Sequence, residues 1–150
     1  NQYKKLIFLS IVFIIILLIF LTFYSIRNEK RNNLISEKYI QAGLYLSAGQ
    51  NDKSKKIYEE ILKTNNSFYS TLSLNNILEK ELEKDENKIV EYFNIVSKLQ
   101  KNNEQKDILK LKKALYLIKI SKKKEAEKLI KELINSNSKF KDLAKQILPN

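Results

Sequence analysis

The side chains in this sequence that could most readily take part in catalysis are two pairs of adjacent carboxylates, Glu59-Glu60 and Asp85-Glu86. Neighbouring residues of a helix point about 100° apart, so Glu59 and Glu60 would not converge on one substrate. Asp85-Glu86 lies in a polar break between apolar segments, where a carboxylate is well placed to cap a helix. Neither pair has a partner acid, base or metal ligand nearby in the sequence, and we therefore expect no catalytic residue.

The residue types that are missing exclude most other chemistry. The chain contains no His, Cys, Met or Trp. It therefore has no histidine base, thiol nucleophile or disulfide, and no zinc site of the usual kind. Its two glycines, Gly43 and Gly49, do not form a Gly-x-Gly phosphate loop. The sequence predicts a protein that is not an enzyme, without a metal or cofactor site.

The charge is strongly positive, with 28 Lys plus Arg against 17 Asp plus Glu and a net charge of +11. All of the basic residues except Arg27 and Arg31 are lysine. Proteins that read nucleic acid favour Arg, whose planar fork grips guanine or phosphate at two points. The abundance of Lys, Asn and Ile is instead typical of an AT-rich genome, and we expect no nucleic-acid partner.

Three consecutive lysines stand at Lys122–Lys124, and two more, Lys112 and Lys113, lie on the preceding predicted helix. Such a cluster would suit anionic lipid headgroups or an acidic partner. The alternative is a solvated helix start and face, which we favour.

The most informative segment is the apolar run at residues 6–24, LIFLSIVFIIILLIFLTFY, interrupted only by Ser10 and Thr22. As a helix it would span about 28 Å, close to the hydrocarbon thickness of a bilayer. A buried core helix is the first alternative, but the rest of the chain is too small to surround it. A cleaved signal peptide is the second, but the run is long and no small-x-small site follows it. The sequence predicts an uncleaved transmembrane anchor at 6–24, after a flank at 1–5.

The remainder of the chain has helical periodicity between short polar breaks. Asn, Asp, Ser and Gly in these breaks favour caps and turns. Apolar stripes between them, such as the one from Ile57 to Leu62, predict about seven helices and an all-α fold. We expect a helical stalk at 25–34, since no glycine or proline precedes Gly43. The breaks are at residues 49–52, 64–67, 84–87, 101–103, 121–123 and 135–138.

Similar apolar patterns recur with spacings of 35 and 37 residues, measured between Ser54, Ile89 and Ala126. In the first and third units, small residues (Ala42 and Ser54, Ala114 and Ala126) occupy the positions where two antiparallel helices approach. Large residues follow at fixed offsets, and Gly49 stands where a helix end requires positive φ. This pattern resembles the tetratricopeptide repeat.

The resemblance implies an α-solenoid of about three degenerate tetratricopeptide-like helix pairs at 35–150, with a C-terminal helix that ends at Pro149. The middle unit, 68–102, keeps only the apolar rhythm, with Lys84 or Asp85 expected at its turn. Unrelated packing of helical hairpins is the alternative, since any two-helix repeat gives similar spacing.

An anchor followed by a short charged helix and degenerate repeats resembles the YfgM-like ancillary subunits of the bacterial Sec translocon. The segments YIQAGLYLSAGQ at 39–50 and FYSTLSL at 68–74 carry this likeness. It implies a single-pass protein of the bacterial inner membrane with a cytoplasmic N-terminus and periplasmic repeats. The implied partners are proteins: translocon subunits, periplasmic chaperones or emerging client chains.

The charges beside the anchor give the opposite orientation. Lys4 and Lys5 precede it, whereas Arg27, Lys30 and Arg31 follow it. Read literally, the positive-inside rule places the C-terminal side in the cytoplasm. The chain begins with Asn rather than Met, and upstream residues that we expect would add positive charge. We therefore follow the resemblance and expect the repeats to lie in the periplasm.

Candidate partner-binding residues follow from positions 5 and 12 of the repeat that the sequence resembles. These are Tyr39 and Leu46 in the first unit, and Leu111 and Ile118 in the third. They would line an apolar peptide groove if the solenoid is concave there. The alternative is that a neighbouring helix covers them.

Three functions remain compatible with the sequence. The first is a non-catalytic, membrane-anchored binding scaffold of the translocon type. The second is an assembly factor for another envelope process, such as cytochrome maturation. The third is an enzyme subunit or passive structural subunit of a larger membrane complex. The partner's identity would separate them.

Overall fold

The computed structural model describes residues 2–148 and is all-helical over that range. The expected helix end at Pro149 lies outside the described residues. The sequence prediction of an all-α fold with about seven helices is confirmed. The seven helices of this range are α1 (Gln2–Ser47), α2 (Asn51–Leu62), α3 (Ser67–Glu79), α4 (Glu86–Leu99), α5 (Asn103–Lys119), α6 (Lys123–Asn135) and α7 (Lys141–Ile147).

Packing divides the chain into two units, Asn1–Lys38 and Tyr39–Asn150. The first unit consists of the N-terminal part of α1. From Phe8 to Ile26 its large apolar side chains are exposed, from 38% at Val12 to 70% at Leu9. The hydroxyl of Thr22 donates to the carbonyl of Leu18 at 2.8 Å, so this hydroxyl has a hydrogen-bond partner within the helix. α1 is therefore long and apolar enough to cross a membrane.

The segment after the apolar run is also helical, as the sequence predicts for 25–34. Arg27 lies over the ring of Phe23 at 5.9 Å, and Arg31 donates to the side chain of Asn28 at 2.9 Å. These are contacts between residues one turn apart, which stabilise a helix locally.

The second unit is a solenoid-like series of helix pairs. From α2 onward each helix packs against the next. The C-terminal residues of α1 lie against α2, where the ring centroids of Tyr39 and Tyr58 are 5.7 Å apart. The pairs are therefore α1–α2, α3–α4 and α5–α6, followed by α7. Three of the helices have a side-chain cap at the N-terminus. The side chain of Asn66 accepts from the backbone N–H of Tyr69, that of Asp85 from Asn87, and that of Asn102 from Glu104. The sequence assignment of Asp85 as a helix cap is confirmed.

The turns within the three pairs share one backbone motif. Each has a single residue with positive φ, namely Gly49 at +71°, Glu81 at +49° and Ser121 at +63°. That residue bonds to the carbonyl three positions back, and the next residue bonds five positions back, at N···O distances of 2.8 to 3.3 Å. This is the Schellman motif, which satisfies the last carbonyls of a helix. The positive φ predicted at Gly49 is confirmed, and the motif marks three equivalent turns.

Small residues bring the helices of the first and third pairs together. Ala42 and Ser54, and likewise Ala114 and Ala126, are fully buried. The large residues Tyr58, Leu117 and Ile130 fill the space beside them and are also buried. The sequence prediction of close approach in these two pairs is therefore confirmed.

The middle pair is built differently. Its two helices are joined by residues 80–85, whereas three residues join each of the other pairs. The residue with positive φ is Glu81, so the turn begins before the Lys84 or Asp85 expected from the sequence. Its buried residues are Ser70, Ser73, Leu74 and Ile77 on α3, and Ile89, Tyr92, Phe93 and Val96 on α4.

A buried carboxylate connects the first pair to the middle one. Glu83 accepts N–H bonds from Lys84 and Asp85 at 2.8 and 2.9 Å, and Lys55 of α2 lies 2.8 Å from its second oxygen. Beside it, the hydroxyl of Tyr92 donates to Glu59 at 2.6 Å. These polar contacts fix α4 against α2 in a way that apolar contacts alone would not.

Candidate partner-binding groove

A groove of about 530 Å³ lies between α3 and α5, beside the long connection of the middle pair. Its apolar surface comes from both helices and from the start of α4. Leu115 is 45% exposed there, although it is a large apolar residue. The groove is therefore an accessible apolar surface of the second unit. Its apolar lining residues are Ile77, Leu78, Ile89, Leu115, Tyr116 and Ile120.

Two polar contacts cross from α5 to α3 and its C-terminal turn. Nζ of Lys112 donates to Oδ1 of Asn75 at 2.9 Å, and Nζ of Lys119 lies 3.0 Å from Oε1 of Glu81. The hydrogen bond from Lys119, with its positive charge, lowers the pKa of the Glu81 carboxyl. Both pairs are exposed, so an incoming partner could exchange these contacts at small cost.

Tyr116 supplies a polar group within the apolar surface. Burial raises the pKa of its hydroxyl, and the negative charges of Glu86, Asp85 and Glu83 raise it further. The hydroxyl therefore stays protonated at neutral pH and is available as a hydrogen-bond donor. Its ring lies 6.0 Å from that of Phe93, which supports it from the core side.

The four residues expected to bind a partner do not come together at this groove. Tyr39 is half-buried, with ring centroids 5.7 Å from Tyr58 and 5.6 Å from Tyr69, and its hydroxyl accepts from Asn76 at 2.8 Å. Leu46 is half-buried near the end of α1.

Leu111 and Ile118 face the C-terminal helices instead of open solvent. Leu111 is 7% exposed in a cluster with Ile130, Leu133 and Ala144, and Ile118 packs against that cluster. For these two residues the structure shows the alternative in which neighbouring helices cover the side chains. They do not line an open groove within the described residues.

The sequence reasoning did not identify Leu78, Leu115 or Tyr116. A signal was present in α5, where apolar residues occupy both sides of the helix: Ile108, Leu109, Leu111, Ala114, Leu115, Tyr116, Leu117 and Ile118. A helix that is apolar over so much of its surface requires a second neighbour. One side packs on α6 and α7, and the other contributes to the groove.

The groups singled out for chemistry have structural partners. Glu59 accepts from Tyr92, and Asp85 caps α4. Lys122 lies 3.6 Å from Glu86, whereas Lys123 and Lys124 are exposed in the first turn of α6. Within residues 2–148, no group of three or more carboxylates is arranged to hold a metal ion.

Comparison of the chain with models of protein families, with curated proteins and with solved structures gave no significant match.

Proposed function

We propose that this protein is a non-catalytic, membrane-anchored scaffold that binds another polypeptide in the groove between α3 and α5. Two observations support the proposal. The apolar part of α1 exposes side chains that are unfavourable in water, and a bilayer would accept them. The groove exposes Leu115 beside Leu78 and Tyr116.

The composition of the groove supports the proposal that the protein binds a polypeptide. Its apolar surface would bury the side chains of a partner, and this burial drives association. The Tyr116 hydroxyl and the exposed pairs Lys112–Asn75 and Lys119–Glu81 offer donors and acceptors to a polypeptide backbone. An apolar surface with a few polar groups around it is the usual composition of a protein-binding site.

The finer proposal is that the partner belongs to the Sec translocon and its periplasmic chaperones. The order of parts supports it, because an anchor, a charged helix and degenerate helix pairs occur in the same order in the YfgM-like family that the sequence resembles. The proposed orientation has the N-terminus in the cytoplasm and the helix pairs in the periplasm of a bacterial inner membrane.

Photo-crosslinking from the groove would test the binding proposal. A photoreactive amino acid replaces Leu115 in the full chain, in intact cells, and cross-linked partners are identified after gentle solubilisation. We expect a small set of proteins cross-linked from position 115. The matched control is the same replacement at Leu143, which is equally exposed at 45% but lies on α7. The same products from both positions, or none from 115, would refute the groove as the binding site.

The identity of the cross-linked protein would also distinguish the alternatives. Translocon subunits, chaperones or secreted clients would support the finer proposal. Enzymes of cytochrome maturation would indicate an assembly factor for another envelope process. A single protein in constant proportion, bound independently of export, would indicate a passive structural subunit.

A further inference from the structure

The connections of the second unit lie at two opposite ends. At one end, Nε2 of Gln100, which follows α4, donates to Thr71 near the start of α3 at 3.1 Å. At the same end, Lys139 from the α6–α7 connection lies 2.9 Å from Glu104 in the first turn of α5. We call this the lysine end and define it by the connections 63–66, 100–102 and 136–140.

The other end carries the turns within the helix pairs. Lys119 and Glu81 meet there at 3.0 Å, and Lys122 and Glu86 at 3.6 Å. We call it the opposite end and define it by the connections 48–50, 80–85 and 120–122.

The connecting segments at the two ends differ in charge although both sets contain three lysines. The connections of the lysine end contain Lys63, Lys101 and Lys139 and no Asp or Glu. The connections of the opposite end contain three lysines and three acids, so their charges cancel. Lys139 is paired with Glu104, so the attraction of this end to an anionic surface comes from the exposed lysines Lys63 and Lys101.

An exposed aromatic residue accompanies this charge. Phe68, in the first turn of α3, is 64% exposed, and its ring packs edge-on against Tyr69 at 5.1 Å. It borders a shallow depression together with Gln100 and Lys101. Aromatic side chains next to lysines are typical of surfaces that contact the interfacial layer of a bilayer.

The second unit belongs to the same chain as the apolar run. Tyr39, its first residue, contacts Tyr69 in the first turn of α3. Only residues 25–38 separate Tyr39 from the apolar run, and a helix of that length spans about 21 Å. Because the unit and the apolar run share one chain, a bilayer that holds the run keeps the unit at high local concentration, and a weak attraction then contributes to contact.

We propose that the lysine end, with Phe68, Lys63 and Lys101 at its tip, docks on the surface of a bilayer that contains anionic phospholipids. The proposal rests on the membrane anchor of the proposed function, and it adds a second contact with the same membrane. Phe68 enters the interfacial layer, and the lysines contact the phosphates. Docking in this way leaves the groove between α3 and α5 open to a partner.

The absence of native tryptophan allows a direct test, because Phe68→Trp gives the full chain a single indole emission. The variant is reconstituted into vesicles of phosphatidylcholine alone, and into vesicles that also contain phosphatidylglycerol. We expect emission at shorter wavelength and at least twofold stronger quenching by brominated lipid in the anionic vesicles. High salt should reverse both effects, since screening weakens contacts between surface charges.

Charge reversal and a second probe position provide the controls. Lys63→Glu with Lys101→Glu should abolish the lipid-dependent quenching, whereas Lys80→Glu with Lys124→Glu should leave it unchanged. A tryptophan at Leu115, in the groove, should not be quenched. Equal emission of Phe68→Trp in both types of vesicle would overturn the proposal, as would an equal loss of quenching in the two charge-reversed variants.

Flotation of the vesicles separates this proposal from the one on which it rests. If the protein floats with both vesicle types but its emission does not depend on the lipid, the anchor is present and the docking proposal is refuted. Protein that floats with neither vesicle type refutes the anchor, and the docking proposal with it.

Discussion

Nζ of Lys55 on α2 lies 2.8 Å from Oε2 of Glu83, which precedes α4 in the connection of the middle pair. Burial alone would raise the pKa of the Glu83 carboxyl. The hydrogen bond from Lys55 and the N–H bonds from Asp85 and Lys84 outweigh burial and lower the pKa to about 2. This contact joins two helix pairs through a charge that is almost completely enclosed.

The lowered pKa of Glu83 makes stability depend on pH. The carboxylate ionises more readily in the folded chain than in the unfolded chain, whose ordinary pKa is 4.5. Its contribution, on the order of 2–3 kcal/mol, is therefore present above that value and is lost as pH falls toward 2. Urea unfolding of the full chain in detergent, followed by circular dichroism across this pH range, would measure it.

Glu83→Gln should remove most of that dependence, because an amide cannot ionise or form the ion pair with Lys55. The matched control is Glu127→Gln, which removes an exposed ion pair with Lys131 one turn away. We expect the control to change the free energy of unfolding by less than about 0.5 kcal/mol. The same acid sensitivity in the wild type and in Glu83→Gln would contradict this assignment.

Large side chains of the core should be costly to remove. Tyr58 and Leu133 are buried in the first and third helix pairs. Replacing either by Ala should lower the free energy of unfolding by about 2–4 kcal/mol, because lost contacts and a cavity add together. Lys122→Ala should have almost no effect, since its ion pair with Glu86 is long and partly exposed. Similar losses for all three variants in denaturant titrations would show that the core is assigned incorrectly.

The residues with positive φ at the turns predict opposite effects on stability for two substitutions. Ser121 has φ +63° and carries a side chain, so Ser121→Gly should stabilise the chain by about 0.5–1 kcal/mol. Gly49 has φ +71°, and Gly49→Ala should destabilise it by about 1 kcal/mol. No atom lies within 4 Å of a Cβ built at Gly49, so the cost would come from the backbone and not from a clash. Thermal unfolding would measure the change in stability for both variants. A change in the same direction for both would argue against the shared motif.

The groove predicts a variant that loses binding but keeps its stability. Leu115→Gln should reduce co-purification of the partner identified by cross-linking at least tenfold, since it removes the exposed apolar side chain of the groove. It should change the free energy of unfolding by less than about 1 kcal/mol, because Leu115 is 45% exposed. Leu143→Gln, at the same exposure on α7, should retain the partner. Loss of partner in both variants would indicate a general defect instead of a site.

The proposed orientation is tested by protease accessibility. Protease added to intact spheroplasts should degrade residues 39–150, because the helix pairs are proposed to face the periplasm. A cytoplasmic protein of known location serves as the control for intact membranes. Protection of the helix pairs until the membrane is lysed would place them in the cytoplasm and exclude periplasmic partners.

Much of the architecture was predictable because it depends on local physics. Helical periodicity and polar breaks placed α2 to α6 within a few residues of their observed bounds. Ala42, Ser54, Ala114 and Ala126 predicted where helices approach closely, since only small side chains permit it. The positive φ of Gly49 was predictable because glycine adopts it without strain.

The positive φ at Glu81 and Ser121 was not predictable in this way, since side-chain-bearing residues rarely adopt it and the closure of each hairpin imposes it. The same limit applies to the candidate site. Leu111 and Leu115 lie one turn apart on α5, and the sequence alone does not distinguish their roles. Packing of α6 and α7 covers Leu111, whereas Leu115 stays open beside α3. Composition and periodicity thus determined the apolar helix and the helix pairs, because each depends on residues close in the chain. Tertiary structure decided which apolar surface remained accessible, because that depends on which helices become neighbours in space.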